Sequence, residues 1–456
     1  MQKKKTTVTL NRRISHNASS EKEMQASLKR LLCSPIFAAI TAAILRLVGL
    51  YGAFRLRPWV VVNPAMSGGE IIQIAHSIVS GRGFGNPLGV IETGPTAWIC
   101  PVYPYLVAGI FKLAGTYTVE SRLTLAAINC IFAGLTIFPI YGIAKRSFGT
   151  SVAICAAWMW VILPSAWQIP VRLAWDSTLN ALSFAVIFWA TLAVRNQRRL
   201  WLWAGYGALW AVGALINASV LSLAPFLFGW LLWELRRQAM PWLRPLAVAA
   251  IVAVLGVAPW TIRNYVVFGK IIPIRSNAGL LLWMGNHPGP PGFDASLSPY
   301  GNRHEAAAYK QMGEIAYMAM KKREAATFMK AHPARTLRLA LDNAWIFWFG
   351  VTDREANPWY GGSRYLSIDF LANIVVVLCG MVGMFLAFRA RNPTAPIYLT
   401  VLLIFPLVYY ITRPALRFRF TIEPIMVVLA AYGAVWIFER VFGGEEANRV
   451  SRESAG

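Results

Sequence analysis

Ten stretches of this chain, near 32–54, 121–144, 150–169, 177–194, 200–217, 219–235, 245–262, 366–388, 393–412 and 420–438, are apolar over about the length a helix needs to cross a bilayer. A spanning helix takes about 20 mostly apolar residues, because in hydrocarbon every backbone N–H and C=O must be satisfied within the protein. Ten such stretches predict an all-α polytopic membrane protein. The composition agrees: 57% of residues are hydrophobic and 14% charged, against about 45–50% and about 25% in soluble domains. An ordinary soluble domain and a disordered chain are both excluded. The formal charge of +24 reads as contact with anionic membrane phosphates, and no nucleic-acid partner is expected. Cys33, Cys100, Cys130, Cys155 and Cys379 are scattered, with no CxxC pair and no disulfide framework.

Short-loop Lys/Arg bias sets the orientation. With the N-terminus inside, the inner loops receive Lys145/Arg146, Arg195/Arg198/Arg199, Arg236/Arg237/Arg244 and Arg389/Arg391, whereas the short outer loops hold Arg172 alone or no charge near Asn217. The predicted organisation is a basic tail over 1–31, seven spans over 32–262 including a first outer loop at 55–120, a second outer loop at 263–365, three spans over 366–438 and an inner tail over 439–456. The tail at 1–31 does not have the build of a signal peptide. Two outer loops of this size exceed what connection alone requires.

In the first loop, Gly69–Ser80 has helical period: Ile71, Ile74, Ala75 and Ile78 line one face, and Glu70, Gln73, Ser77 and Ser80 the other. This predicts an interfacial helix with Glu70 turned toward water, stopped at Gly81-Arg82-Gly83. Pro101 to Gly115 predicts a second, shorter helix at the outer leaflet. In the second loop, Tyr265–Ile274 is β-prone, Gly285–Gly292 is rich in glycine and proline, and 303–331 predicts one soluble helix ended by His332-Pro333.

Acidic residues are few enough to weigh singly. Glu305, Glu314 and Glu324 lie among lysines, where solvated pairing is the ordinary account. Glu70, opening the interfacial helix, and Asp176, at the outer start of the fourth span, stand out. A carboxylate is favoured at a helix N-terminus by the dipole, so capping explains either one. Two carboxylates at one membrane face also suit a general base toward a hydroxyl, or a divalent metal. Arg82, Arg263, Lys270, Arg275, Arg413, Arg417 and Arg419 fall on the same outer side. Arginine's fork matches a phosphate, and snorkelling to headgroups is the alternative. Tryptophans near span ends, Trp167, Trp175, Trp201, Trp260 and Trp436, read as interfacial belts. No HExxH, Walker A or GxSxG motif is present, and the five histidines show no paired spacing inside spans.

Three stretches together resemble a known family. Glu70-x4-Ala75-x5-Gly81-Arg82-Gly83-Phe84 with Gly94-Pro95-Thr96-Ala97-Trp98 and Tyr103-Pro104-Tyr105 resembles the first outer loop of the dolichyl-phosphate-mannose-protein mannosyltransferase-like glycosyltransferases of the GT-C superfamily, to which the lipid A aminoarabinose transferase also belongs. Pro259–Lys270 with Trp283-Met-Gly-Asn286, and Arg417-Phe-Arg-Phe-Thr-Ile-Glu-Pro424, resemble its bacterial branch, over about 32–440 in all. The resemblance implies a GT-C fold in a bacterial inner membrane and a polyprenyl-phosphate-sugar donor. It also implies a glycan, lipid or protein acceptor on the periplasmic side; a single in-line displacement there would invert the anomeric centre. It implies Glu70 and Asp176 as catalytic acids; from their charge and expected side, Arg82, Arg263, Lys270, Arg275, Arg417 and Arg419 are the candidates for the donor phosphate. Tyr103, Asn286 and His287 fall in the resembling stretches or beside them and are carried as substrate-binding candidates; for His287 a structural turn is the alternative. The family's first loop commonly begins with Asp beside another acid, whereas Ser67-Gly68-Gly69 precede a lone Glu70 here. A divalent metal (Mg, Mn or Zn) is therefore left open. Competing expectations are a transporter or flippase for an anionic lipid or lipid-linked glycan, and an O-antigen-ligase-like glycan ligase.

Overall fold

The structure, a computed structural model, describes residues 27–56, 69–89, 91–172, 174–289, 295–350 and 368–453. Most of the basic tail, Ser67-Gly68, the Pro290–Gly292 run and the close of the second loop lie outside them. The described chain is almost wholly helical; an antiparallel bridge between Gly85 and Pro95 is the β pairing among the described residues.

Among the described residues, seven helices are long and apolar enough to cross a membrane: Pro35–Leu56, Val119–Phe148, Ser177–Val194, Ala218–Arg237, Leu243–Phe268, Leu371–Arg389 and Glu423–Val441. Thr150–Ile162 and Pro164–Val171, bent by 46° between them, make an eighth if they form one span. The two other predicted spans are the 17-residue helices Leu200–Ile216 and Ala395–Ile411. At 1.5 Å per residue these run about 26 Å, a little short of a hydrocarbon core of about 30 Å. Among the described residues the count by length is therefore seven or eight, where the sequence predicts about ten.

Helices meet at small residues, as expected where lipid is as apolar as the side chains and close backbone approach has to supply the packing. A Cβ on Gly383 would lie 2.0 Å from the Leu429 carbonyl oxygen, and one on Gly433 would lie 2.4 Å from that of Cys379. Helices Ile368–Arg389 and Glu423–Glu453 are thus in backbone contact. Gly207 makes the same approach to Ala249, where a Cβ would lie 2.2 Å from the carbonyl oxygen. Gly383→Val is expected to lower stability by about 1–3 kcal/mol through overpacking, read as a fall in Tm in detergent. An unchanged Tm would mean that this helix pair is looser than described.

Arg46, within Pro35–Leu56, is fully buried and donates to the carbonyls of Ala42, Trp160 and Ala166. Trp160 and Ala166 flank the bend at Leu163-Pro164, where proline removes a helical donor and leaves carbonyl oxygens needing partners. Arg46 supplies them.

The two long segments expected as outer loops differ from expectation in three places. Helix Gly69–Val79 forms, but Ser77 on its polar face is as buried as Ile74, so protein covers part of that face as well. The β-prone Tyr265–Ile274 forms no strand, because helix Leu243–Phe268 runs on through Pro259 and ends at Gly269, φ +64°. The single helix predicted over 303–331 is two, Arg303–Met312 and Glu314–Ala331, broken at Gly313, φ +76°. Helix Val102–Ala114 forms as predicted and stops at Gly115. Asn86 organises the first loop: its Oδ1 accepts from the backbone N–H of Thr93 and Gly94, and its amide donates to Ser77. The turn so made presents Gly94–Trp98 to the second loop.

Candidate active site

Glu70 lies in the first turn of helix Gly69–Val79 and is half-buried. Its neighbour Gly69 has a positive φ of +35°, and a Cβ there would lie 3.8 Å from the rings of both Trp175 and Tyr300. The Arg417 guanidinium sits over Trp175, 3.6 Å from the ring centroid, a cation–π contact. Asp176, next to Trp175, precedes Ser177–Val194 and accepts a 2.8 Å hydrogen bond from the Asn217 amide. Residues far apart in the chain, Glu70, Trp175-Asp176, Asn217, Tyr300 and Arg417, therefore meet at one place. Asp176 makes no side-chain capping bond, which leaves its carboxylate available to Asn217.

Burial pushes the Glu70 carboxyl above its ordinary range, while its own backbone amide, Arg417 and Arg413 draw it back. Burial likewise raises Asp176 against the Asn217 hydrogen bond and the charges of Arg417 and Arg275. Arg417 is thus shared by both carboxylates. The arrangement combines bases of raised proton affinity with cations suited to an anionic leaving group.

Arg275 reaches this centre by backbone packing. Ile274 is buried in a small cluster with Cys100, Ala214 and Ala218, and Ala218 follows Asn217, the partner of Asp176. Arg413 lies near enough to act on Glu70, and most of the other residues singled out in the sequence have partners of their own. Arg82 pairs with exposed Glu92 at 2.6 Å. Arg263 donates to the Thr96 and Phe84 carbonyls and stacks on Phe84 and Trp260, tying the first loop to the end of a span. Lys270 is exposed just past that span. Arg419 is buried, with Glu423, Asn373 and the Trp348 carbonyl as partners. Tyr103 is buried and donates to Asn129, which also accepts from Thr178. Asn286 donates to the Leu282 and Ile411 carbonyls. His287 is buried, its Nδ1 accepting from the Gly289 amide.

Sequence reasoning passed over Trp175, Asn217 and Tyr300. Trp175, read as an interfacial belt residue, carries Arg417 instead. Asn217 stands at a charge-free turn, and Tyr300 donates to the Pro87 carbonyl from the second loop; no local pattern marks either one. Among the described residues no three of His, Cys, Asp and Glu come together as metal ligands. Glu70 and Asp176 feel arginine charge where a metal would need more anionic donors. Among the described residues this donor set does not fit a divalent ion.

The fold matches solved structures. It aligns with the Archaeoglobus fulgidus oligosaccharyltransferase AglB in complex with an inhibitory peptide and a dolichol-phosphate, at TM-score 0.56 and 16% identity, over 91% of this chain and 52% of that one. The apo form of the A. fulgidus oligosaccharyltransferase aligns at TM-score 0.54 and 15% identity, over 92% and 52%. ArnT from Cupriavidus metallidurans bound to undecaprenyl phosphate aligns at TM-score 0.32 and 13% identity, over 85% and 77%. The chain spans about half the length of the oligosaccharyltransferase. No curated protein matches the sequence. Residues 95–262 match the model of the dolichyl-phosphate-mannose-protein mannosyltransferase family, and the chain shares the fold of the A. fulgidus oligosaccharyltransferase.

Proposed function

We propose that this protein is a membrane glycosyltransferase that moves a sugar from a polyprenyl-phosphate donor to an acceptor hydroxyl on the outer face of the membrane. The observation that carries the reading is the meeting of two half-buried carboxylates, Glu70 and Asp176, under one shared guanidinium, Arg417. The family match over 95–262 supports it.

Glu70 takes the acceptor proton as the hydroxyl oxygen attacks the anomeric carbon. The new glycosidic C–O bond forms as the bond from that carbon to the donor phosphate oxygen breaks. The electron pair leaves with the polyprenyl phosphate, whose charge Arg417, Arg413 and Arg275 stabilise, and a single displacement inverts the anomeric centre. Asp176, held by Asn217, orients Arg417 and Arg275. No step passes through a metal, so transfer is expected to persist in excess EDTA; loss of transfer restored by Mg, Mn or Zn would refute that assignment.

The test is transfer of radiolabelled sugar from polyprenyl-phosphate donors by the purified protein in nanodiscs. Release of polyprenyl phosphate coupled one-to-one with a new glycoside supports the reading. Donor bound and moved across the bilayer with its glycosidic bond intact would show a transporter instead.

A further inference from the structure

Glu314 stands apart from the carboxylates of the site, and the sequence places it among solvated lysine partners. It is 6% exposed and opens helix Glu314–Ala331. It accepts from four neutral donors: the Thr96 hydroxyl, the Ala97 amide at 2.8 Å, the Ser276 hydroxyl at 2.5 Å and the Tyr309 hydroxyl at 2.6 Å. Burying an ion costs free energy unless its acceptor sites are filled. Here they are filled from three separate segments.

Those segments converge on one residue. The Ser276 backbone N–H also donates to the Ala97 carbonyl at 2.8 Å. On the other flank, the Ile274 carbonyl accepts from the Trp260 indole at 2.9 Å and the Asn264 amide at 3.2 Å. Arg275, between them, is thus held from both sides, beside the Cys100, Ala214 and Ala218 packing that leads to Asn217 and Asp176. Ser276 is the only bond of Glu314 into this segment, and it lies one residue from the guanidinium-bearing position.

We propose that Glu314 is a positioning residue that holds Arg275 on the lipid-phosphate side of the site; the inference rests on the function proposed above. The bonding scheme also predicts which substitutions are tolerated. An amide at 314 keeps an oxygen for Ala97 and Ser276 and turns its NH2 toward Thr96 and Tyr309, whose hydroxyls can accept. Glu314→Gln therefore preserves Arg275, and Glu314→Ala releases it.

The experiment is equilibrium binding of undecaprenyl phosphate to the full-length protein in nanodiscs, with Tm recorded alongside. Arg275→Gln is expected to weaken binding by about ten- to a hundredfold, the loss of one charge-assisted contact. Glu314→Ala should weaken it by a similar factor in the wild-type background and no further in the Arg275→Gln background, with Glu314→Gln near wild type. Ser276→Ala, a milder change, should weaken binding only where Arg275 is present. Equal weakening by Glu314→Ala or Ser276→Ala in both backgrounds, or a fall in Tm with affinity unchanged, overturns the positioning role. An Arg275→Gln variant that binds as wild type overturns it too, by removing Arg275 from the phosphate. A wild-type protein with no affinity for the lipid phosphate refutes the proposed function itself.

Discussion

Glu70→Gln is expected to lower sugar transfer by a factor of about 10²–10⁴, the usual contribution of a general base, while leaving undecaprenyl phosphate binding near wild type. The amide keeps the size of the side chain but cannot take a proton. Burial raises the Glu70 carboxyl above its ordinary value, so the acid limb of the pH profile should lie above the usual carboxylate midpoint of about 4.3. Transfer should rise with pH as Glu70 ionises. Arg417 lowers this pKa, so Arg417→Gln should move the limb to higher pH as well as weaken phosphate binding. The sign of the stability effect is the opposite. The folded state holds this proton more tightly than the unfolded chain, so the contribution of Glu70 to stability is present below the ordinary carboxylate range and is lost as pH rises through the raised pKa. Transfer unaffected by Glu70→Gln would remove Glu70 from the chemistry and point toward a ligase-like site.

The second large effect is expected at Glu423. Arg419 and Glu423, both 1% exposed in their side chains, form a 2.9 Å ion pair. Arg419 also donates to Asn373 at 2.5 Å and to the Trp348 carbonyl, and Ser165 donates to Glu423 at 3.0 Å. Glu423→Ala leaves a buried guanidinium without its counter-charge, which costs about 3–5 kcal/mol and should appear as a large fall in Tm. Joint replacement by Arg419→Leu and Glu423→Leu should recover part of this. Full recovery is not expected, because the Trp348 carbonyl, Asn373 and Ser165 would lose bonds. A small effect of Glu423→Ala would mean that water reaches the pair. The same geometry separates Arg419 from Arg417: two residues apart, one is bound within the core and the other faces the carboxylates.

Much of the fold was legible because hydropathy is a local property. All ten apolar stretches coincide with helices, and the interfacial helix at Gly69–Val79 with its glycine stop came from period alone. The errors have local causes. The β-prone run over Tyr265–Ile274 gave way to the continuation of helix Leu243–Phe268, and a positive φ at Gly313 divided a segment whose helical composition runs through. Glu70 and Asp176 could be singled out because acids are rare in an apolar chain. Their meeting could not, since it depends on Trp175 packing beside Gly69.

The sequence by itself determined a helical membrane protein and singled out Glu70 and Asp176, because length, apolarity and the scarcity of acids need no knowledge of distant residues. Only the tertiary structure decided which cations serve those carboxylates. Arg82, Arg263, Lys270, Arg275, Arg413, Arg417 and Arg419 share a chemistry and, by the charge bias of the sequence, an expected side of the membrane. Which of them pairs with Glu92, binds loop carbonyls, enters the core or faces Glu70 and Asp176 follows from how helices far apart in the chain pack together. Glu314 makes the same point in reverse. Its surroundings in sequence are lysines and its surroundings in space are four neutral donors, because a break at Gly313 turns it inward against Thr96, Ala97 and Ser276.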